Sequence, residues 1–248
     1  MRIAMWSGPR NLSTAMMYAF AARGDCAIRD EPFYAAYLAR TGLDHPMREA
    51  IIASGETDPA RIAARLTGPA PGGKAHFYQK HMCQHMIEGI PRGWMTGVTN
   101  VFLIRHPARV LASFADKYRS PTLADLGFVQ QAELFDQVAA ATGAAPLVID
   151  SADIRTNPEA MLHRLCAALG LAFTPAMLRW PPGGHPDDGP WAPVWYGAVH
   201  RSTGFAGPEG PLPVLPDSLS AIADAALPHY QRLASHRLLP DPDMPRRG

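Results

Sequence analysis

Short apolar runs alternate with helically spaced ones over the first two-thirds of the chain. Residues 3–6 form an apolar run halted by Ser7-Gly8-Pro9. Leu12, Met16, Ala19 and Phe20 then recur on one helical face. The same reading predicts strands at 26–30, 76–80, 100–105 and 146–150. It predicts helices over 46–67 in two pieces broken near Gly55, and over 82–88, 107–118 and 123–142. Another helix is capped by Asn157-Pro158 and stopped by Gly170. Pro107 suits a first helical turn, where its missing N–H costs nothing. Continuous apolar strands separated by helices predict an α/β fold, a three-layer αβα arrangement around a central, mostly parallel five-stranded sheet. In such sheets ligands bind beyond the carboxyl ends of the strands. That gathers the residues after Trp6, Asp30, Lys80 and Arg105 around one crevice.

Proline marks where this regularity ends. Fourteen of the 25 prolines fall in the last 74 residues, so the stretch from about 180 to 216 reads as long irregular loops. Trp180, Trp191, Trp195, Tyr196 and Tyr230 lie in or beside it, an aromatic content that argues for packing rather than disorder. One domain over 1–248 is expected, with an α/β body at 1–174 and a Pro-rich segment at 175–248 packed on it and covering the site.

Charge and cysteine content narrow the function classes. A formal net charge of +1, with no basic–aromatic run, disfavours nucleic acid and anionic membrane as partners. Three widely spaced cysteines form neither a disulfide scaffold nor a zinc site. No signal peptide is expected from the first residues, which carry no long apolar stretch, and the sequence has no apolar run of the ~18 residues a membrane helix needs. A cytoplasmic protein, monomer or homodimer, is expected. Lysine occurs only at 74, 80 and 117, which singles out each one.

Two turns carry candidate chemistry. Ser7-Gly8-Pro9-Arg10-Asn11-Leu12-Ser13-Thr14 joins the first strand to the first helix, where backbone N–H groups and the helix dipole favour an anion. Arg10, Ser13 and Thr14 add donors. The same residues would also make an ordinary helix cap with Asn11 at the N-cap. Arg105 ends the strongest strand and Ser113 follows eight residues later, beside Arg109 and Lys117 and away from Leu111, Phe114 and Tyr118. That face is either a solvated basic surface or a second anion site. The first turn lacks the second Gly and the Lys of a Walker A loop, which disfavours an ATP kinase, and no G-x-G-x-x-G is present.

Together these turns resemble the sulfotransferases that use 3′-phosphoadenosine 5′-phosphosulfate (PAPS). Pro9-Arg10-Asn11-Leu12-Ser13-Thr14 is similar to that family's 5′-phosphosulfate loop, with Asn11-Leu12 where Ser-Gly is usual. The segment 102–114, with Arg105, His106-Pro107 and Ser113, is similar to its 3′-phosphate motif. The stretch from Ile149-Asp150 through Asn157-Pro158 to Leu169-Gly170-Leu171 resembles a later family segment. The Trp6-to-Thr14 turn with Asp30-Glu31-Pro32-Phe33-Tyr34 looks like a bacterial sulfotransferase-like branch. The resemblance implies a P-loop-like sulfotransferase architecture, PAPS as donor with PAP as product, no metal, and a small-molecule acceptor. It implies cofactor contacts from Pro9, Arg10, Asn11, Leu12, Ser13, Thr14, Arg105 and Ser113. In the C-terminal loops Arg201 either reaches the 3′-phosphate or is a plain surface arginine, and Trp195-Tyr196 are candidates to stack on adenine or line the acceptor pocket.

Sulfonyl transfer needs a cation near the leaving phosphate and a base for the acceptor proton. Lys80 is the cation candidate and Glu31 the base candidate, because family branches place a Lys and a Glu after the corresponding strands. Asp30 is the second choice of base, and His81 or His85 the alternatives. His81 and His85 at helical spacing also have the geometry of half a zinc site, with no third ligand. Two other readings stand beside this one: a P-loop phosphotransferase using ATP, and a non-catalytic relative that holds a nucleotide.

Overall fold

The structure is a computed structural model, and it describes residues 1–115 and 120–240. Five strands form one sheet in the order β2-β3-β1-β4-β5, with every neighbouring pair parallel. They are β1 (Arg2–Ser7), β2 (Cys26–Asp30), β3 (His76–Met82), β4 (Thr99–Ile104) and β5 (Leu147–Asp150). The helices are α1 (Ser13–Ala21), α2 (Tyr34–Thr41), α3 (Arg48–Ser54), α4 (Pro59–Thr67), α5 (Pro107–Ala115), α6 (Leu123–Leu126), α7 (Phe128–Thr142), α8 (Ser151–Thr156), α9 (Pro158–Leu169), α10 (Ala192–Trp195), α11 (Gly197–His200) and α12 (Asp217–Ala234). Lys117 and Tyr118 lie outside the described residues.

Alternation along the strands builds the two apolar layers. Ile3 and Met5 of β1, Val101 and Leu103 of β4 and Ile149 of β5 face α1 and α9. Ala4, Trp6, Phe102, Ile104 and Val148 face the opposite way, toward α4, α7 and the end of α12. Two buried polar side chains in this second layer brace the sheet. Trp6 Nε1 donates to Asn100 Oδ1 at 2.8 Å, and Gln131 Nε2 donates to the carbonyls of Trp6 and Leu103. The glutamine thereby ties the carboxyl ends of β1 and β4, the two strands that lead into the Pro9–Thr14 turn and the Arg105 turn. The three-layer αβα architecture is as expected.

Three local expectations differ. Residues 82–88 do not form a helix: β3 runs on to Met82 and a single 3₁₀ turn follows at Cys83–His85. The 123–142 helix is two helices meeting at Gly127, which sits at φ +70°. The C-terminal stretch is partly helical, with α10 and α11 inside it and the 18-residue α12 after it. Among the described residues, no helix is long and apolar enough to cross a membrane.

Gly8 opens the first turn against α6. A Cβ there would lie 2.4 Å from the Leu126 carbonyl oxygen, a backbone atom that cannot swing away. Overpacking of this kind costs roughly 1–3 kcal/mol. Gly8→Ala is therefore expected to lower the melting temperature by about 3–10 °C, read by circular dichroism. An unchanged melting temperature would show that the turn has slack.

Candidate active site

All five strands end on one side of the sheet, and the residues that follow them line one cavity of about 900 Å³. Pro9, Arg10, Asn11, Leu12, Ser13 and Thr14 are in its wall, with Glu31, Lys80, Arg105 and Ser113. The two turns read as anion sites are in direct contact. Arg10 Nε donates to Ser113 Oγ at 2.9 Å, and Arg105 Nη1 donates to the Arg10 carbonyl at 2.6 Å. The N-cap of α1 is Leu12, not Asn11, and no side chain caps the helix there. Asn11 instead points inward, its Nδ2 donating to the Leu103 carbonyl at 3.3 Å.

Backbone strain concentrates at this cavity. Arg10 (φ +62°), Leu12 (φ +70°) and Glu31 (φ +36°) are non-glycine residues with positive φ. Such conformations cost of order 1 kcal/mol each and persist where the surroundings enforce them. Leu12 adopts the left-handed conformation that glycine would take more cheaply.

The exits of β2 and β3 supply a buried charged cluster. Asp30 and Lys80 are register partners in these parallel strands. The Lys80 ammonium donates to Asp30 Oδ1 at 2.9 Å, to Glu31 Oε1 and to the Tyr196 hydroxyl at 2.7 Å, which uses all three of its hydrogens. Two carboxylates against one ammonium leave the cluster with an excess negative charge. Burial, aided by the Asp30 charge and opposed by Lys80, raises the Glu31 carboxyl above the ordinary glutamate range. The carboxylates in turn hold Lys80 protonated against its own burial.

His81 lies on the other face of β3, as period-two alternation requires. It stacks on Trp6 with ring centroids 4.4 Å apart, and burial lowers its pKa to about 3. It is not in the cavity wall. His85 does line the cavity, stacked between Tyr34 and Tyr37, with Nε2 4.0 Å from Glu31 Oε2. Burial holds it neutral as well. Arg201 caps the end of α11, is exposed, and is not among the residues lining the cavity. No set of three or more His, Cys, Asp or Glu side chains among the described residues is arranged to hold a metal ion.

The C-terminal segment closes over the site at three points. Arg10 Nη1 donates to the Trp195 carbonyl at 3.3 Å. Tyr196 and the Gly189 N–H both donate to Asp30, while Trp191 Nε1 donates to the Tyr196 oxygen at 2.8 Å. Gly189 is required here because a Cβ would fall within 2.2 Å of the Trp191 ring. Third, Glu209 reaches back among three guanidinium groups. Its carboxylate meets Arg105, Arg109 at 2.9 Å and Arg155 at 2.8 Å, and its side chain is 3% exposed. Trp195 and Tyr196, offered from sequence as adenine-stacking or acceptor-pocket residues, do line the cavity, whereas Glu209 and Arg155 are not distinguished by sequence reasoning. Arg155 lies between Asp150 and Asn157, inside a motif already recognised, and that was the available signal.

The sequence profile of the sulfotransferase domain matches residues 1–237, and the chain belongs to that family. Two Arabidopsis thaliana proteins named branched-chain-amino-acid aminotransferase-like protein 1 and protein 2 are 36% and 34% identical to it, over 94% and 98% of this chain. The matched regions are 42% and 44% of those proteins, so the chain spans less than half of either relative. Among solved structures, it is similar to the sulfotransferase domains of the Synechococcus PCC 7002 olefin synthase and of the curacin biosynthetic pathway. Identity is 16% to each and the TM-scores are 0.47 and 0.48. The match covers 90% of this chain in both, and 93% and 96% of those domains.

Proposed function

We propose that the protein is a PAPS-dependent sulfotransferase that moves a sulfonyl group to a hydroxyl or amine of a small-molecule acceptor. The observation that carries this reading is the joining of two anion-binding turns, from β1 and β4, in one cavity that also holds the Lys80–Glu31–Asp30 cluster. A donor with phosphate at two ends needs two cationic sites on one wall. Arg10, the first-turn amides of α1, Ser13 and Thr14 suit the 5′-phosphosulfate, while Arg105 and Ser113, joined by Arg155, suit the 3′-phosphate. The volume suits a nucleotide and a small acceptor together.

The displacement is in line and balanced. The acceptor oxygen or nitrogen bonds to sulfur, and the bond from sulfur to the bridging phosphate oxygen breaks. Its electron pair leaves with PAP, and the acceptor proton passes to a carboxylate of the cluster. Lys80 supplies positive charge at the reacting end. Three buried free thiols, Cys26, Cys83 and Cys166, fit a reducing, cytoplasmic setting. Incubation with PAPS and a metabolite mixture, followed by mass spectrometry, tests the reading. Products heavier by one sulfonyl group support it, and their absence with PAP bound would favour a non-catalytic nucleotide binder.

Glu209 makes a further prediction. It already neutralises part of the Arg105–Arg109–Arg155 charge, so an incoming phosphate competes with it. Glu209→Gln is expected to tighten PAP binding about tenfold, equivalent to ~1.4 kcal/mol, and to steepen its salt dependence. Weaker binding would show that Glu209 instead holds the arginines in place for the ligand.

A further inference from the structure

Two carboxylates stand side by side at the end of β2, and chemistry needs only one base. We infer that Tyr196, supplied by the C-terminal segment, is a positioning residue that gives them unequal roles: Asp30 is the fixed anion paired with Lys80, and Glu31 takes the proton of the acceptor. This rests on the sulfotransferase reading above and names how its site divides the work.

The hydrogen-bond arithmetic carries the inference. A phenol hydroxyl has one hydrogen to give and two lone pairs to receive. Tyr196 receives from Lys80 at 2.7 Å and from Trp191 Nε1 at 2.8 Å. Its one hydrogen faces Asp30, whose oxygens lie 2.8 and 3.0 Å away, nearer than Glu31 Oε1 at 3.2 Å. Asp30 therefore accepts from Lys80, from Tyr196 and from the Gly189 N–H at 3.2 Å. Its negative charge is met on both oxygens.

Glu31 is served differently. Its Oε1 meets Lys80, while the nearest partner of Oε2 among the described residues is His85 Nε2, at 4.0 Å. The residue lines the cavity. The groups facing it are Asp30 from β2, Lys80 from β3, His85 from the following turn, Tyr34 from α2 and Tyr196 beyond α10. His85 is held neutral by burial, so it adds no charge that would keep Glu31 ionised. The raised Glu31 pKa agrees with the geometry: of two adjacent carboxyls, the one with fewer donors holds a proton more readily.

The test does not depend on turnover. Glutamate carboxyl carbons are labelled with ¹³C and titrated by NMR in the full chain, with Glu31→Gln identifying the Glu31 signal. Wild type is expected to show Glu31 titrating above the ordinary glutamate range. In Tyr196→Phe, Asp30 loses its phenol donor and the difference between the two carboxyls shrinks, so the Glu31 midpoint falls by about one unit, a tenfold change in equilibrium. Trp191→Phe, which removes the donor that orients the phenol oxygen, is expected to move it the same way by less. Melting temperatures and PAP binding confirm that both variants are folded. A Glu31 midpoint that is unchanged or higher in Tyr196→Phe would overturn the assignment. Absence of sulfated product from wild type, with the expected titration intact, would count against the enzymatic reading alone.

Discussion

Arg105→Ala is expected to weaken 3′,5′-ADP (PAP) binding by about a hundredfold or more. Two losses add. Its guanidinium is the cation at the exit of β4, and a charge-assisted hydrogen bond to a phosphate is worth about 1.5–3 kcal/mol. It also donates to the Arg10 carbonyl, at a residue held in a strained left-handed conformation. Without that bond the first turn loses a brace, so the damage reaches the 5′ end of the site as well. About 3 kcal/mol in total corresponds to the hundredfold. Glu209 keeps Arg109 and Arg155 as partners in the variant, so its carboxylate is not stranded. Calorimetric titration at fixed salt reads the change. A loss below threefold would place the phosphate elsewhere.

Lys80→Ala is expected to abolish turnover, by a factor of a thousand or more, while PAP affinity stays within a few-fold. The ammonium contacts Asp30, Glu31 and Tyr196, not the anion turns, so its removal spares the grip on the nucleotide. It removes the positive charge at the reacting end, where one such group is worth about 10²–10³ in rate, and it disorders the base. Breaking a buried ion pair also costs roughly 3–5 kcal/mol of stability, so the melting temperature is expected to fall. The pH dependence separates the causes. Without Lys80 the Glu31 carboxyl is raised further, and a folded-state pKa above the unfolded one gives stability that is lost as pH rises through it. The variant is therefore expected to be most stable in mild acid, near and below the ordinary carboxyl range, and to weaken toward neutrality. Lys80→Arg keeps the charge but fans its donors differently, and a few per cent of activity is expected. Wild-type turnover in the folded alanine variant would remove Lys80 from the chemistry.

The parts of the site that could be read from sequence are those made by neighbours in the chain. The β1 turn from Pro9 to Thr14 and the Arg105–Ser113 pair are local, each tied to a strand end that hydrophobic patterning locates. Asp30-Glu31 and Lys80 were reachable the same way. His81 shows the limit. Ending β3 at Lys80 leaves His81 in a loop free to face the cavity, whereas the strand continues to Met82 and alternation turns the imidazole onto Trp6. The contacts made at long range left no local pattern: Tyr196 reaches Lys80 and Asp30 from more than 100 residues away, with Trp191 bonded to its hydroxyl, and Glu209 reaches Arg105 across 104. Helix α2, Tyr34–Thr41, begins just after Pro32 and five of its 8 residues are alanine or tyrosine, which leaves only a short amphipathic signal in the sequence.

These partners explain why the proline-rich segment is aromatic. It brings Tyr196, bonded to Trp191, to the charged cluster, Trp195 to Arg10 and Glu209 to the arginines, so its aromatic and acidic residues pack against the body.

Titration of the wild-type chain with PAP, alongside adenosine 5′-phosphate as the analogue lacking the second phosphate, bears most directly on the two-turn donor site. Saturable binding of one PAP per chain is expected, at least tenfold tighter than adenosine 5′-phosphate, with that preference lost in Arg105→Ala. No binding of PAP at high micromolar concentration, or equal affinity for the two nucleotides, would contradict it.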